Sequence, residues 1–393
     1  MDILIQTIGD IINADLGSPL AAFIALLLVS LAILGFMSLT AGGLSFIERR
    51  VAGRMQSRIG PNRVGPQGIL QFMADGLKCA QKEDLIPDGA DRLLFKLAPV
   101  LCFIGVFGTF AVLPWGNGFF ASELNVGLLY LMSVTSLVVI GMLMAGWSSN
   151  NKWSLLGGMR SAAQMVSYEI PVALSLLPVI LLCGSLSFKE LIGAQGAMPW
   201  DWNILNSPFT FISFFIFFLA ALAEGNRTPF DIPEGESELV AGYCTEYSGL
   251  RFVFFFFAEW ANLYVIGAVA AAVFLGGGHL PFGLESDIVS LLVFFAKSFF
   301  MVFIIIWLRW TLPRFRVDQM MTLCWKTLIP LSFVMLFGQA ITLLIYHELT
   351  FLQSIVSLVL FAICVLVGVK FVSRVLVNIK EQKYKMMHTL TGS

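Results

Sequence analysis

The chain has 393 residues, of which 58% are hydrophobic and only 12% charged, with a formal net charge of −1. A soluble domain carries roughly 25% charged residues, so half the usual supply of solvated side chains is missing. Together with a mean hydropathy of +0.85 and no basic tract, this excludes a soluble enzyme, a disordered chain and a nucleic-acid binder, and requires an integral membrane protein.

No basic residue precedes Arg49, whereas Asp2, Asp10 and Asp15 do. A cleavable signal peptide needs a positive leading region, so the first apolar run is expected to stay as a helix. Runs long enough to cross about 30 Å of hydrocarbon occupy 19–46, 96–114, 126–147, 165–183, 207–223, 252–275, 288–308, 328–346 and 351–373. They are continuous rather than alternating, which predicts helices and not a barrel. The expected fold is an all-α polytopic membrane protein with nine spans and short amphipathic surface helices.

Lysines and arginines orient these spans. With nine spans, all of the 24 basic residues except Lys189 and Lys297 fall on one side, which predicts an outside N-terminus and a cytoplasmic C-terminus. Nine lie between the first two spans: Arg49, Arg50, Arg54, Arg58, Arg63, Lys78, Lys82, Arg92 and Lys96. Within that connection, 58–66 is turn-rich and cationic and cannot be helical. After it, Ile69, Phe72, Met73, Leu77 and Ala80 recur at helical spacing opposite Gln71, Asp75, Lys78 and Lys82. This predicts a short helix lying along the membrane surface or covering a partner subunit.

The third connection on this side crowds carboxylates. Glu224, Asp231, Glu234, Glu236, Glu238 and Glu246 face one base, Arg227. Two prolines predict an extended entry and then a helix sharing Glu234 and Glu238 on one face. Like charges at this density repel one another, and some are expected to hold protons above the usual carboxylate range. The plainer alternative is an acidic first turn on a wet surface. Three ionisable residues lie inside predicted spans: Glu169 ahead of Pro171, Glu259 early in the sixth, and Lys297 near the centre of the seventh. A charge at helix centre costs roughly 2.5–3.5 kcal/mol on insertion scales, so each suggests either a Glu–Lys pair between helices or a proton relay. Glu259 and the carboxylates ending the fifth span could form one acidic path.

No two of the six cysteines form a Cys-x-x-Cys pair and only three histidines occur. A metal, iron–sulfur or haem site in this chain is therefore not expected.

The sequence resembles a known family at Glu-Arg-Arg (48–50), Gln-Ser-Arg-Ile-Gly-Pro-Asn-Arg-Val-Gly-Pro (56–66), Ala-Asp-Gly-Leu-Lys (74–78) and Tyr-Glu-Ile-Pro (168–171). The likeness continues at Ala-Glu-Gly-Asn-Arg-Thr-Pro-Phe-Asp (223–231), Glu-Gly-Glu-Ser-Glu-Leu (234–239), Ala-Glu-Trp-Ala-Asn (258–262) and Pro-Arg-Phe-Arg-Val-Asp-Gln (313–319). These stretches, in order from about residue 19 to 347, are similar to subunit 1, the H-type membrane subunit, of the proton-pumping NADH:quinone oxidoreductase, respiratory complex I. The resemblance implies a subunit, not catalytic alone, that anchors the peripheral electron-transfer arm and forms the quinone entry tunnel. The tunnel and site would be lined by Glu48, Arg49, Arg50, Arg54, Arg58, Arg63, Asp75, Phe230 and Asp231. It implies an acidic coupling channel of Glu169, Glu224, Asp231, Glu234, Glu238 and Glu259, with Arg227 and Lys297 as basic partners. Quinone would be the substrate. FMN and iron–sulfur clusters would reside in partner subunits, and the neighbours would be peripheral quinone-site subunits and antiporter-like pump subunits in a bacterial plasma (inner) membrane.

Family members commonly have eight spans, so 1–347 reads as the family-like membrane domain and 348–393 as an extra helix with a basic cytoplasmic tail. Two other functions compete. One is the equivalent subunit of a group 4 hydrogenase-type or ferredoxin-driven complex; the other is a stand-alone ion transporter, which often shows two similar halves, and no such repeat is found.

Overall fold

The computed structural model describes residues 19–116, 120–233, 235–280 and 286–348, and beyond them 353, 355–364, 366, 369, 370, 373 and 374. Its long elements are helices: α1 (Pro19–Met55), α3 (Arg92–Phe110), α4 (Gly127–Ser148), α5 (Lys152–Cys183), α8 (Pro208–Glu224), α10 (Gly249–Phe274) and α11 (Asp287–Thr311). The last runs through α12 (Val317–Thr322), a π-helical turn (Leu323–Leu328) and α13 (Ile329–Glu348). Short helices α2 (Gln71–Gln81), α6 (Phe188–Gly193), α7 (Asn203–Asn206) and α9 (Glu236–Leu239) occupy the connections.

Seven of the described helices are long and apolar enough to cross a membrane. The 17-residue α8 coincides with the fifth predicted span, and Ile355–Cys364 is an apolar helix within the ninth. Of the rest of that ninth run only 353, 366, 369, 370 and 373 are described; the predicted tail beyond Arg374 and the residues before Pro19 lie outside the described residues. The all-α membrane architecture is thus as expected. Two boundaries shift by two turns or more: α1 runs to Met55 instead of 46, so Arg49, Arg50 and Arg54 are helical, and α5 begins at Lys152 instead of 165, capped by the Asn151 side chain on the Trp153 amide, so Glu169 sits near mid-helix.

Helix α10 is the hub of the bundle. It packs against α1, α2, α3, α8 and α11, and every residue from Trp260 to Phe274 is buried. Helices α3, α4 and α5 pack in sequence, with α5 also against α8 and α13. An interior hydrophobic all round needs no polar face, because lipid or protein covers each side. Close approach is achieved with small residues. At Gly157 of α5 an added Cβ would stand 2.6 Å from the Cα of Gly242, so the 240–247 turn lies directly on the helix backbone.

That contact is testable. Gly157→Val should force the turn off α5 and cost about 1–3 kcal/mol of overpacking, lowering the thermal midpoint of the purified complex; an unchanged midpoint would reject the contact.

Candidate functional site

Helix parity brings the C-termini of α1, α4, α8 and α11 and the N-termini of α3, α5, α10 and α12 to the same end of the bundle. The connection after α8 does not stay outside. Asn226, Arg227, Phe230, Asp231 and Ile232 are all buried. The extended entry expected from its prolines is instead a compact turn, with the Phe230 amide donating to the Arg227 carbonyl at 2.8 Å and the Ile232 amide to the Phe230 carbonyl at 2.9 Å. The reason is Gln164 of α5. Its side-chain amide donates to the carbonyls of Ala223 and Phe230, both at 2.7 Å, and to Asn226 Oδ1 at 3.2 Å. A buried turn needs such partners, and this glutamine, absent from the sequence-derived site, supplies them. The Phe230 ring is held between Tyr168 and Phe315.

Burial of this turn carries the Arg227 guanidinium into the bundle, where its side chain is 3% exposed. Its Nε lies 3.2 Å from Glu259 Oε1 on α10, and its Nη1 3.7 Å from Glu48 Oε2 on α1. The Trp260 ring covers it at 4.3 Å. Glu48 also accepts from Arg309 Nη1 at 2.6 Å and from the Trp310 side chain, both on α11. Asp231 pairs with Arg314 at 2.7 Å. Arg309, Trp310 and Arg314 were not among the sequence-derived candidates. Their position just before and within the Pro-Arg-Phe-Arg stretch was the available signal.

Next to Glu259 the interior is not filled. A cavity of about 10 Å³, room for about one water, is lined by Glu224, Glu259, Asn226 and Asn262 among apolar side chains. A second, of about 20 Å³, shares Glu224 and Asn262 and continues between α4, α5, α8 and α10. The Thr135 hydroxyl donates to Glu224, which lies within electrostatic reach of Glu169. Glu224 and Glu259 therefore share one internal polar seam, with half-buried Glu169 within electrostatic reach of Glu224. Glu238 is exposed and pairs with Arg160 at 2.6 Å; Glu234 lies outside the described residues.

The other tunnel candidates, apart from the buried Glu48, Phe230 and Asp231, occupy the adjoining rim. Asp75 of α2 accepts from Arg49 at 2.5 Å and from Gln71 at 2.8 Å. Arg50 donates to the Gln67 carbonyl at 2.7 Å and stacks over Phe46. Arg54, Arg58 and Arg63 are exposed around the non-helical 56–65 turn, as its glycines and prolines require. Helix α2 splits its apolar face: Phe72 packs toward Phe257, while Met73 and Leu77, and Ile69 just before the helix, stay exposed.

Lys297 is elsewhere. Its ammonium donates to the backbone carbonyls of Leu275 and His279 near the opposite end of α10. Of the two readings of Lys297, a Glu–Lys pair with Glu259 is not formed: carbonyls take the ammonium, and Leu275 lies sixteen residues beyond Glu259, about 24 Å at 1.5 Å per helical residue.

A family profile described as NADH dehydrogenase matches residues 27–340. The H-type subunit of NADH-quinone oxidoreductase from Anaeromyxobacter dehalogenans is 49% identical over 332 residues, covering 79% of this chain and 80% of the relative. The same subunit from Chlorobium luteolum is 46% identical, covering 82% and 89%, and that from Brevibacillus brevis 45%, covering 80% and 91%. With a family profile over most of its length and relatives at this identity and coverage, the chain belongs to the NADH dehydrogenase family as an H-type membrane subunit of an NADH-quinone oxidoreductase.

Proposed function

We propose that this chain forms the quinone entry tunnel of its complex, holds part of the quinone site, and passes the effect of quinone reduction to proton-translocating partners through buried carboxylates. The observation that carries the reading is Arg227, ion-paired to Glu48 on α1 and to Glu259 on α10. Glu48 adjoins Arg49, whose partner Asp75 sits on the rim helix α2. A charge change at the rim is thus electrostatically connected to the seam of Glu259 and Glu224 and to Glu169 beside it.

The chemistry of quinone explains why such a connection is useful. Reduction adds two electrons and two protons, so the headgroup site must supply protons or hold compensating charge. Coupled carboxylates in low dielectric respond to a neighbouring charge by exchanging a proton, and they titrate as a set rather than singly. In this reading Arg50, Arg54, Arg58, Arg63, Phe230 and Asp231 line the tunnel and headgroup side. Glu234 and Glu238 extend the acidic set toward the peripheral subunits. The exposed Ile69, Met73 and Leu77 face lipid or one of those subunits, and antiporter-like subunits adjoin the inner carboxylates. The rim faces the cytoplasm, because the chain's bases concentrate at that end, with residues 348–393 adding one helix and a basic tail on the same side.

Three outcomes are expected. Glu259→Gln keeps shape but removes charge, so assembly should persist while coupled quinone reductase activity falls roughly tenfold; wild-type turnover and pumping would sink the role. Arg49→Ala should raise the apparent KM for a long-tailed quinone several-fold, whereas loss of assembly alone would mark Arg49 as a docking contact. Lys189→Cys should react with an impermeant maleimide only from the outside of sealed vesicles; labelling from within would invert the topology.

A further inference from the structure

The C-terminus of α10 ends inside the protein. Gly276, Gly277 and Gly278 are buried, and the last carbonyls of the helix have no water to satisfy them. A helix leaves its final four carbonyls without intrahelical partners, and within a membrane each must be met by protein. Here the Leu275 and Gly277 amides donate to the Ala271 carbonyl, and three side chains from elsewhere in the chain meet Ala272, Val273 and the carbonyls just past the helix. Gln195, after α6, donates to the carbonyls of Ala272 at 2.9 Å and Val273 at 3.3 Å, and its own oxygen accepts from the Gly276 amide at 2.8 Å. Asn203 of α7 donates to the Val273 carbonyl at 2.9 Å. Lys297 of α11 donates to the carbonyls of Leu275 at 2.7 Å and His279 at 3.0 Å, beneath the Trp202 ring at 4.2 Å.

We propose that Lys297 is a positioning residue: with Gln195 and Asn203 it caps the buried C-terminus of α10 and thereby fixes the height of Glu259 against Arg227, without itself relaying a proton. Two physical facts favour a cation here. The negative end of a helix dipole attracts it, and an indole face stabilises an ammonium removed from water. Gly276, at φ 72°, turns the chain where a side chain would collide with Trp202, so the loop is shaped around the cap. A rigid helix has few ways to absorb a shift at one end, so loosening the cap moves Glu259.

The inference rests on the coupling role of Glu259, and the test separates the two. Lys297→Met, Lys297→Arg and Asn203→Ala are made in the whole complex. Amide hydrogen exchange is followed over 272–280, and quinone reductase and pumping are measured. The cap predicts exchange about tenfold faster in Lys297→Met, lower kcat with unchanged quinone KM, and recovery of both in Lys297→Arg. Asn203→Ala should speed exchange over the same amides. Unaltered exchange in an assembled Lys297→Met complex overturns the cap. So does a Lys297→Arg complex with native exchange and no pumping, since a permanent cation can cap but cannot relay. If Lys297→Met fails to assemble, Lys297→Arg alone decides on the same criteria. Faster exchange with unchanged kcat overturns the link to Glu259 and leaves the Glu259→Gln result to judge the coupling role.

Discussion

A guanidinium removed from water is the constraint on which this membrane domain depends. The penalty for burying an ion is several kcal/mol even after relaxation, so Arg227 can be interior only if its partners are already there. Those partners come from separate places: Glu48 from the end of α1, Glu259 from α10, and the Trp260 face one residue on. Glu48 in turn is held by Arg309 and Trp310 of α11. Three helices and one turn must therefore meet before the charge is tolerable. Neutralising Glu259 still leaves Arg227 paired with Glu48, whereas removing Arg227 strips a partner from both carboxylates, which makes the guanidinium a specifier of assembly and Glu259 a candidate for function.

The turn that delivers Arg227 has its own requirement. Its backbone is buried, and Gln164 answers with three contacts from a neutral amide. At the C-terminal end of α10 the same solution recurs, with Gln195 and Asn203 bridging carbonyls and Lys297 adding the charge. The middle of α10, at Glu259, and its C-terminal end thus differ in kind. One is ionic, with carboxylates beside cavities large enough for water; the other is a set of amide and ammonium caps on helix carbonyls. Charge that can rearrange sits beside space, and charge that only holds sits against backbone.

Much of the candidate site was legible in the order of residues. Glu259 and Lys297 stood out because ionisable residues are rare inside apolar runs, and the acidic stretch 224–246 because it crowds like charges. The helix 71–81 followed from its period. Other features were not legible. Two prolines suggest an extended turn, yet Gln164 folds it inward, and nothing local marks a mid-helix glutamine as its clamp. Arg309 and Arg314 looked like ordinary loop cations, although each closes a pair with a buried carboxylate. Lys297 looked like a counter-ion for a glutamate until the end of α10 was seen beside it.

The sequence by itself determined the solvent, the spans and the crowding of base at one end. Hydropathy and charge are sums over neighbouring residues, and the bilayer reads them segment by segment. Only the tertiary structure decided which carboxylate meets which guanidinium and which lysine meets backbone instead. Those pairings join residues far apart in the chain, and they depend on how helices rotate and slide against one another. That is set by packing of side chains in an interior without water, where an unpaired polar group has no alternative partner.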